Sequence, residues 1–212
     1  MKNLWVAFFS LLWAQRFETG ILLGPQSLTW IMDLDPERRD FQFRLQGIEL
    51  IAGASEIMWF WERWGLSVDA LYAFGRLNAD EGAWELSRTL IRLKVPLMLR
   101  YTLPMGERSR LELAAGPQVA FVLTAEEWAR SYNPTLGRDT SYTENLLETT
   151  SSSRHRRFQG SVVCMGGWRT KRVGLFLRYE ALPHAANRPK LSTDPREWYN
   201  SVGLLLSYFI QH

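Results

Sequence analysis

Arg88, Arg92, Lys94 and Arg100 stand at alternate positions of one stretch, and Glu112 follows a turn-forming run at residues 104 to 110. With that turn between them, Arg100 and Glu112 lie diagonally across two neighbouring strands, within reach of an ion pair. Acyl hydrolysis or transfer needs a different set: a nucleophile, a histidine base in hydrogen-bond reach and a third group orienting the base. The histidines are His155, His184 and His212. His155 has Ser151 to Ser153 and Glu148 nearby on a polar stretch without rigid support, and His184 has no serine beside it. The expectation is therefore a protein that is not an enzyme, with a lipid-modifying enzyme as the rival. No Gly-rich phosphate loop, Cys/His metal spacing or calcium loop occurs, so neither cofactor nor metal is expected. Cys164 is the one cysteine and forms no internal disulfide.

These side chains must be held by strands. From Ser87 to Thr102 apolar and polar residues alternate, and the alternation resumes from Leu111 to Thr124, which is period two. Each arm is about fourteen residues, against a usual five or six. A transmembrane strand needs roughly nine to eleven residues and turns its apolar face outward. Eight strands are expected, at 16 to 24, 41 to 54, 64 to 77, 86 to 103, 111 to 124, 159 to 168, 172 to 182 and 199 to 211. A bulge near Gly47 would reconcile Phe43 and Leu45 with Ile48 and Leu50. Three of the four odd-numbered connections are longer than any even-numbered one, the exception being 78 to 85 and the longest 125 to 158, as in barrels with short periplasmic turns and longer extracellular loops. The fold class is all-β, an eight-stranded antiparallel up-and-down transmembrane β-barrel.

Aromatic placement points the same way. Trp30, Trp59, Trp61, Trp64, Trp84, Trp128, Trp168 and Trp198 all fall at or beyond predicted strand ends, where interface girdles sit. With the apolar face outward, the lumen receives Arg44, Glu49, Asp69, Arg88, Arg92, Lys94, Arg100, Glu112, Arg178 and Glu180. Eight strands enclose a space that side chains can fill, and these charges must pair there, giving a plugged lumen. The inverted arrangement, a soluble lipocalin-like carrier of a lipophilic ligand, leaves the tryptophans unexplained.

The N-terminus has Lys2, an apolar run from Leu4 to Trp13 and Ala14-Gln15, the layout of a secretory signal peptide at 1–14. Residues 15–212 then form a single barrel domain. The formal net charge of +3 is too mild to argue for nucleic acid. The cluster Arg154, His155, Arg156 and Arg157 could contact phosphates or an anionic partner from the long outer loop. A protein partner could also be met at the turn 55 to 63.

The segment Leu93-Lys94-Val95-Pro96-Leu97-Met98-Leu99-Arg100-Tyr101 and the following Ala115-Gly116-Pro117 resemble the PorT-like outer-membrane β-barrel proteins of Bacteroidetes-type bacteria. Lys94 departs from that pattern, standing where an acidic residue is common. The resemblance implies an integral outer-membrane barrel in contact with membrane lipids, with a structural or interaction role in the envelope and a link to protein secretion through one namesake. It supplies no catalytic residues.

Overall fold

Sustained period-two alternation builds strands longer than a bilayer requires. The computed structural model describes residues 16–33, 42–80, 84–133, 138–148, 155–183, 186–187 and 196–211. Its strands are β1 (Arg16–Asp33), β2 (Gln42–Trp59), β3 (Trp64–Asp80), β4 (Trp84–Pro104), β5 (Ser109–Asn133), β6 (Arg138–Asn145), β7 (Phe158–Thr170), β8 (Val173–Ala181) and β9 (Arg196–Gln211). Each pairs antiparallel with its neighbour in the order β4-β3-β2-β1-β9-β8-β7-β5, and a β4–β5 pairing closes the ring of eight. Closure leaves no unpaired edge in the apolar layer of a membrane. The expected signal peptide at 1–14 lies outside the described residues.

Three features differ from the sequence expectation. β1 does not end at residue 24 but runs past Pro25 to Asp33. Pro25 keeps its place opposite Leu50, and its missing N–H interrupts only the β9 ladder, between Leu23↔Leu206 and Gln26↔Gly203. Second, the connection 125–158 is not all loop. β5 continues to Asn133 and returns as β6, which pairs with the upper part of β5 and lies outside the ring. Third, β2 keeps one register throughout and has no bulge at Gly47. The register shift lies between Ile91, paired with Thr124, and Arg92, paired with Val122.

The two faces separate cleanly. Ile21, Ile48, Leu97, Val119, Leu175 and Leu204 are among the large apolar side chains left exposed on the outer wall, toward lipid. Cys164 is also exposed. The inner wall carries arginines, lysine and glutamates with no exposed surface. That facing overturns the lipocalin-like alternative, which requires the apolar face inside.

The turns at 60–63, 105–108 and 171–172 are short and share one end. The 105–108 turn is closed by Met105 N–H donating to Ser109 O at 2.9 Å and passes through Gly106 at φ +102°, where a side chain would be strained. In outer-membrane barrels the short turns face the periplasm.

Candidate functional site: the charged interior

Alternation sends every second residue of eight strands into one narrow space, so charges distant in sequence meet there. They gather in three groups along the barrel axis. In the middle, Glu49 of β2 accepts hydrogen bonds at Oε1 from Arg92 Nη2 (2.5 Å) and Nε (3.1 Å), and at Oε2 from Lys94 Nζ (2.6 Å) and from Gln26. Lys94 also donates to Glu180 Oε2 of β8 at 2.8 Å. Arg178 Nη1 donates to that same oxygen (2.9 Å) and to Gln26 Oε1 (3.0 Å), and its Nη2 reaches Gln118 Oε1 (2.5 Å). The other oxygen of Glu180 accepts from Gln118 Nε2 at 2.6 Å and Tyr199 OH at 2.9 Å. All the charged members are fully or almost fully buried.

The lower group sits at the short-turn end. Glu18 accepts from Arg16, from Arg169 Nη2 (2.5 Å) and from Arg110 Nη2 (3.2 Å). Glu112 accepts from Arg110 Nε (2.7 Å), Arg169 Nη1 (3.0 Å) and Arg100 Nη1 (3.3 Å). Asp69 takes the Ser55 hydroxyl at 2.6 Å and lies 3.9 Å from Arg100. The Arg169 guanidinium lies 3.6 Å from the Phe209 ring centroid, and that of Arg110 lies 5.1 Å from the Trp59 centroid.

The upper group centres on Glu197. Its Oε2 accepts from Trp30 Nε1 (2.7 Å) and Arg88 Nη1 (2.7 Å) and lies 2.8 Å from His155 Nε2. Arg88 also reaches Glu127 with Nη2 at 2.5 Å. Trp30 stacks on His155 and on Tyr199, with centroids 5.2 Å and 5.0 Å away. Leu146, Leu147, Leu182 and Ala186, from the two connections beside His155, are buried against Leu28, Leu45, Leu77 and Leu90. His155 further makes a backbone bridge with Asn187.

Of the ten lumen residues named from sequence, nine are buried in the interior: Glu49, Asp69, Arg88, Arg92, Lys94, Arg100, Glu112, Arg178 and Glu180. Arg44 is corrected to the outer face, because with no bulge at Gly47 the parity that turns Glu49 inward turns Arg44 outward. The aromatic set divides. Trp61, Trp64, Trp84 and Trp168 are exposed, and Trp128 and Trp198 half-exposed. Trp30 and Trp59 are corrected to the interior, where one finds a carboxylate for its N–H and the other packs beneath Arg110. In the loop cluster Arg156 and Arg157 are exposed, whereas His155 is buried against Glu197 and Trp30. Arg154, His184 and Ser151 to Ser153 lie outside the described residues. Arg169, which the expected strand bounds leave in the connection 169 to 171, is a buried member of the lower group.

The sequence reading missed Glu18, Gln26, Gln118, Glu127, Arg169, Glu197 and Tyr199. Extending the β1 parity from Glu18 through Gln26 to Trp30 finds three inward residues, and Glu197 falls on the parity of β9 once that strand is begun at Arg196. As acid–base chemistry, the interior offers carboxylates that already hold several donors. Among the described residues no serine hydroxyl bonds His155, and no cluster of His, Cys, Asp or Glu is placed to hold a metal.

The sequence model of a family described as outer membrane protein beta-barrel domain matches residues 13–181. Among solved structures, OprG from Pseudomonas aeruginosa is similar over 92% of this chain and 96% of its own at 11% identity and a TM-score of 0.50. Ail of Yersinia pestis matches over 91% and 98% at 13% identity and TM-score 0.41, and neisserial surface protein A over 89% and 96% at 10% and 0.38. At these identities the likeness is one of fold. No curated protein matches the chain.

Proposed function

This chain belongs to the outer membrane protein β-barrel domain family and is integral to the outer membrane, and from that premise we propose that it is a closed, non-enzymatic barrel whose lumen is plugged by its own ion pairs and which acts as an interaction module of the envelope. The observation that carries this reading is Lys94. Its amine joins Glu49 on β2 to Glu180 on β8, at 2.6 Å and 2.8 Å, strands three places apart around the ring. Side chains from seven of the eight ring strands tie into that cross-link, through Gln26, Glu49, Arg92, Gln118, Ser161, Arg178 and Tyr199. An interior filled in this way has no continuous water path for ions, so function falls to the lipid-facing wall and the two ends. The resemblance of Leu93–Tyr101 to PorT-like proteins favours a partner in a secretion or envelope complex. Reconstitution in planar bilayers tests the plug: the barrel inserts without steady conductance, and channels of nanosiemens size refute it.

A further inference from the structure

The short-turn end carries more positive charge than its own carboxylates neutralise. Arg16, Arg100, Arg110 and Arg169 converge on Glu18 and Glu112, with Asp69 held at 3.9 Å from Arg100. Beside them opens a cavity of about 530 Å³, whose wall adds Arg63, Arg108 and Lys171 against Glu62 and Glu107. Lys171 aside, six guanidinium groups thus face five carboxylates. Among the described residues Arg63 and Arg108 make no ion pair. Deeper in the wall Arg169 is fully buried, and its Nε has no acceptor. Arg100, beneath it, has an Nε in the same condition. A buried donor of this kind costs about 1–3 kcal/mol when nothing accepts from it, more when charged.

We propose that this cavity is a binding site for a phosphate-class oxyanion, which the excess of guanidinium groups at its wall neutralises. Guanidinium forks match the oxygens of a phosphate two at a time. The volume lies within the range of small-ligand sites and exceeds what a lone water needs. The site goes beyond the plugged-lumen reading and stands whether or not the barrel conducts. The phosphate has two sources, a phospholipid headgroup of the inner leaflet or a soluble phosphorylated compound of the periplasm.

The test is calorimetric titration of inorganic phosphate into the full-length barrel held in phosphatidylcholine nanodiscs. Saturable binding of one phosphate per barrel is expected. The double variant Arg63→Ala/Arg108→Ala weakens it by about tenfold or more, the loss of charge-assisted hydrogen bonds worth at least 1.4 kcal/mol. Both residues are exposed on turns and outside the ion-pair groups, so the variant keeps its heat-modifiable mobility. The control Arg44→Ala/Arg76→Ala removes two exposed cations at the opposite end and leaves the affinity unchanged. Absence of saturable binding overturns the proposal, as does equal weakening in the control. Repeating the titration in discs containing phosphatidylglycerol names the source: a weakened apparent affinity shows a headgroup occupying the site, and an unchanged one shows a soluble ligand.

Discussion

The middle group makes an asymmetric prediction about two side chains that touch. Arg92, Lys94 and Arg178 face Glu49 and Glu180, three cations to two carboxylates. Glu49→Gln leaves all three cations with Glu180 alone, in a site where none of them reaches water. Breaking a buried pair by removing one partner costs about 3–5 kcal/mol. With a urea dependence of about 2 kcal/mol per molar, the unfolding midpoint falls by about 2 M. Lys94→Met does the opposite: it leaves Arg92 on Glu49 and Arg178 on Glu180. Each Oε2 that Lys94 abandons keeps a donor, Gln26 on Glu49 and Arg178 on Glu180. Methionine fills a similar volume, so the expected change is within about 1 kcal/mol. The assay is urea unfolding of the folded barrel in lipid vesicles, read as the fraction of heat-modifiable band on a denaturing gel. A midpoint for Lys94→Met as low as that for Glu49→Gln refutes the charge balance and makes the lysine an indispensable tie.

Other outcomes follow from single contacts. His155→Ala removes the ring between Glu197 and Trp30; the cap of Leu146, Leu147 and Leu182 loosens by about 2 kcal/mol, and protease added to intact cells cleaves between residues 146 and 157 at least tenfold faster than in the parent. At Gly203 a Cβ would meet Gln26 Cα and Pro25 O, both at 2.7 Å, so Gly203→Val prevents closure between β1 and β9 and the heat-modifiable band disappears. Cys164, exposed on the outer wall, reacts with a lipid-soluble maleimide in native membranes and is protected from a charged one until the membrane is dissolved.

The ring of eight was legible because alternation is strict where both faces are demanding. From Ile91 to Leu99 lipid requires apolar residues at odd positions, while the lumen takes Arg92, Lys94 and Met98 at even ones. Legibility fails where that contrast fades. Above the bilayer the outer face is wet, so Ser27 and Thr29 on β1 no longer look like a membrane strand, and the β5–β6 extension, polar on most positions, read as a loop. The same fading produced the expected bulge at Gly47. Phe43 and Leu45 turn inward into the apolar upper interior, not outward to lipid, so one unbroken register looked like two phases. Tryptophan misled for a related reason. Nearness to a strand end does not fix parity, and Trp30 and Trp59 have the inward one. Ion-pair partners were hidden by distance in sequence, since Glu18 meets Arg169 only through closure.

The two ends of the barrel differ because their inward residues differ. At the upper end Leu28, Trp30, Leu45, Leu77 and Leu90 surround the Arg88, Glu127 and Glu197 ion pairs, and an open mouth would present that apolar surface to water. Covering them demands chain, and the connections supply it: Leu146, Leu147, Leu182 and Ala186 fold in and are held by His155. At the lower end the inward positions include Glu18, Arg100, Arg110, Glu112 and Arg169, with Trp59 and Phe209 packed against two of the guanidinium groups. Charged groups at a mouth are solvated without a cover, so turns of two to four residues suffice and the cavity there stays open. Loop length in this barrel is therefore a consequence of lumen polarity. Exchanging Leu28, Leu45 and Leu90 for serines removes the reason for the cap, and its loops become protease-sensitive while the lower half keeps its stability; a cap that stays protected would show that the loops are held by their own contacts and not by the apolar mouth beneath them.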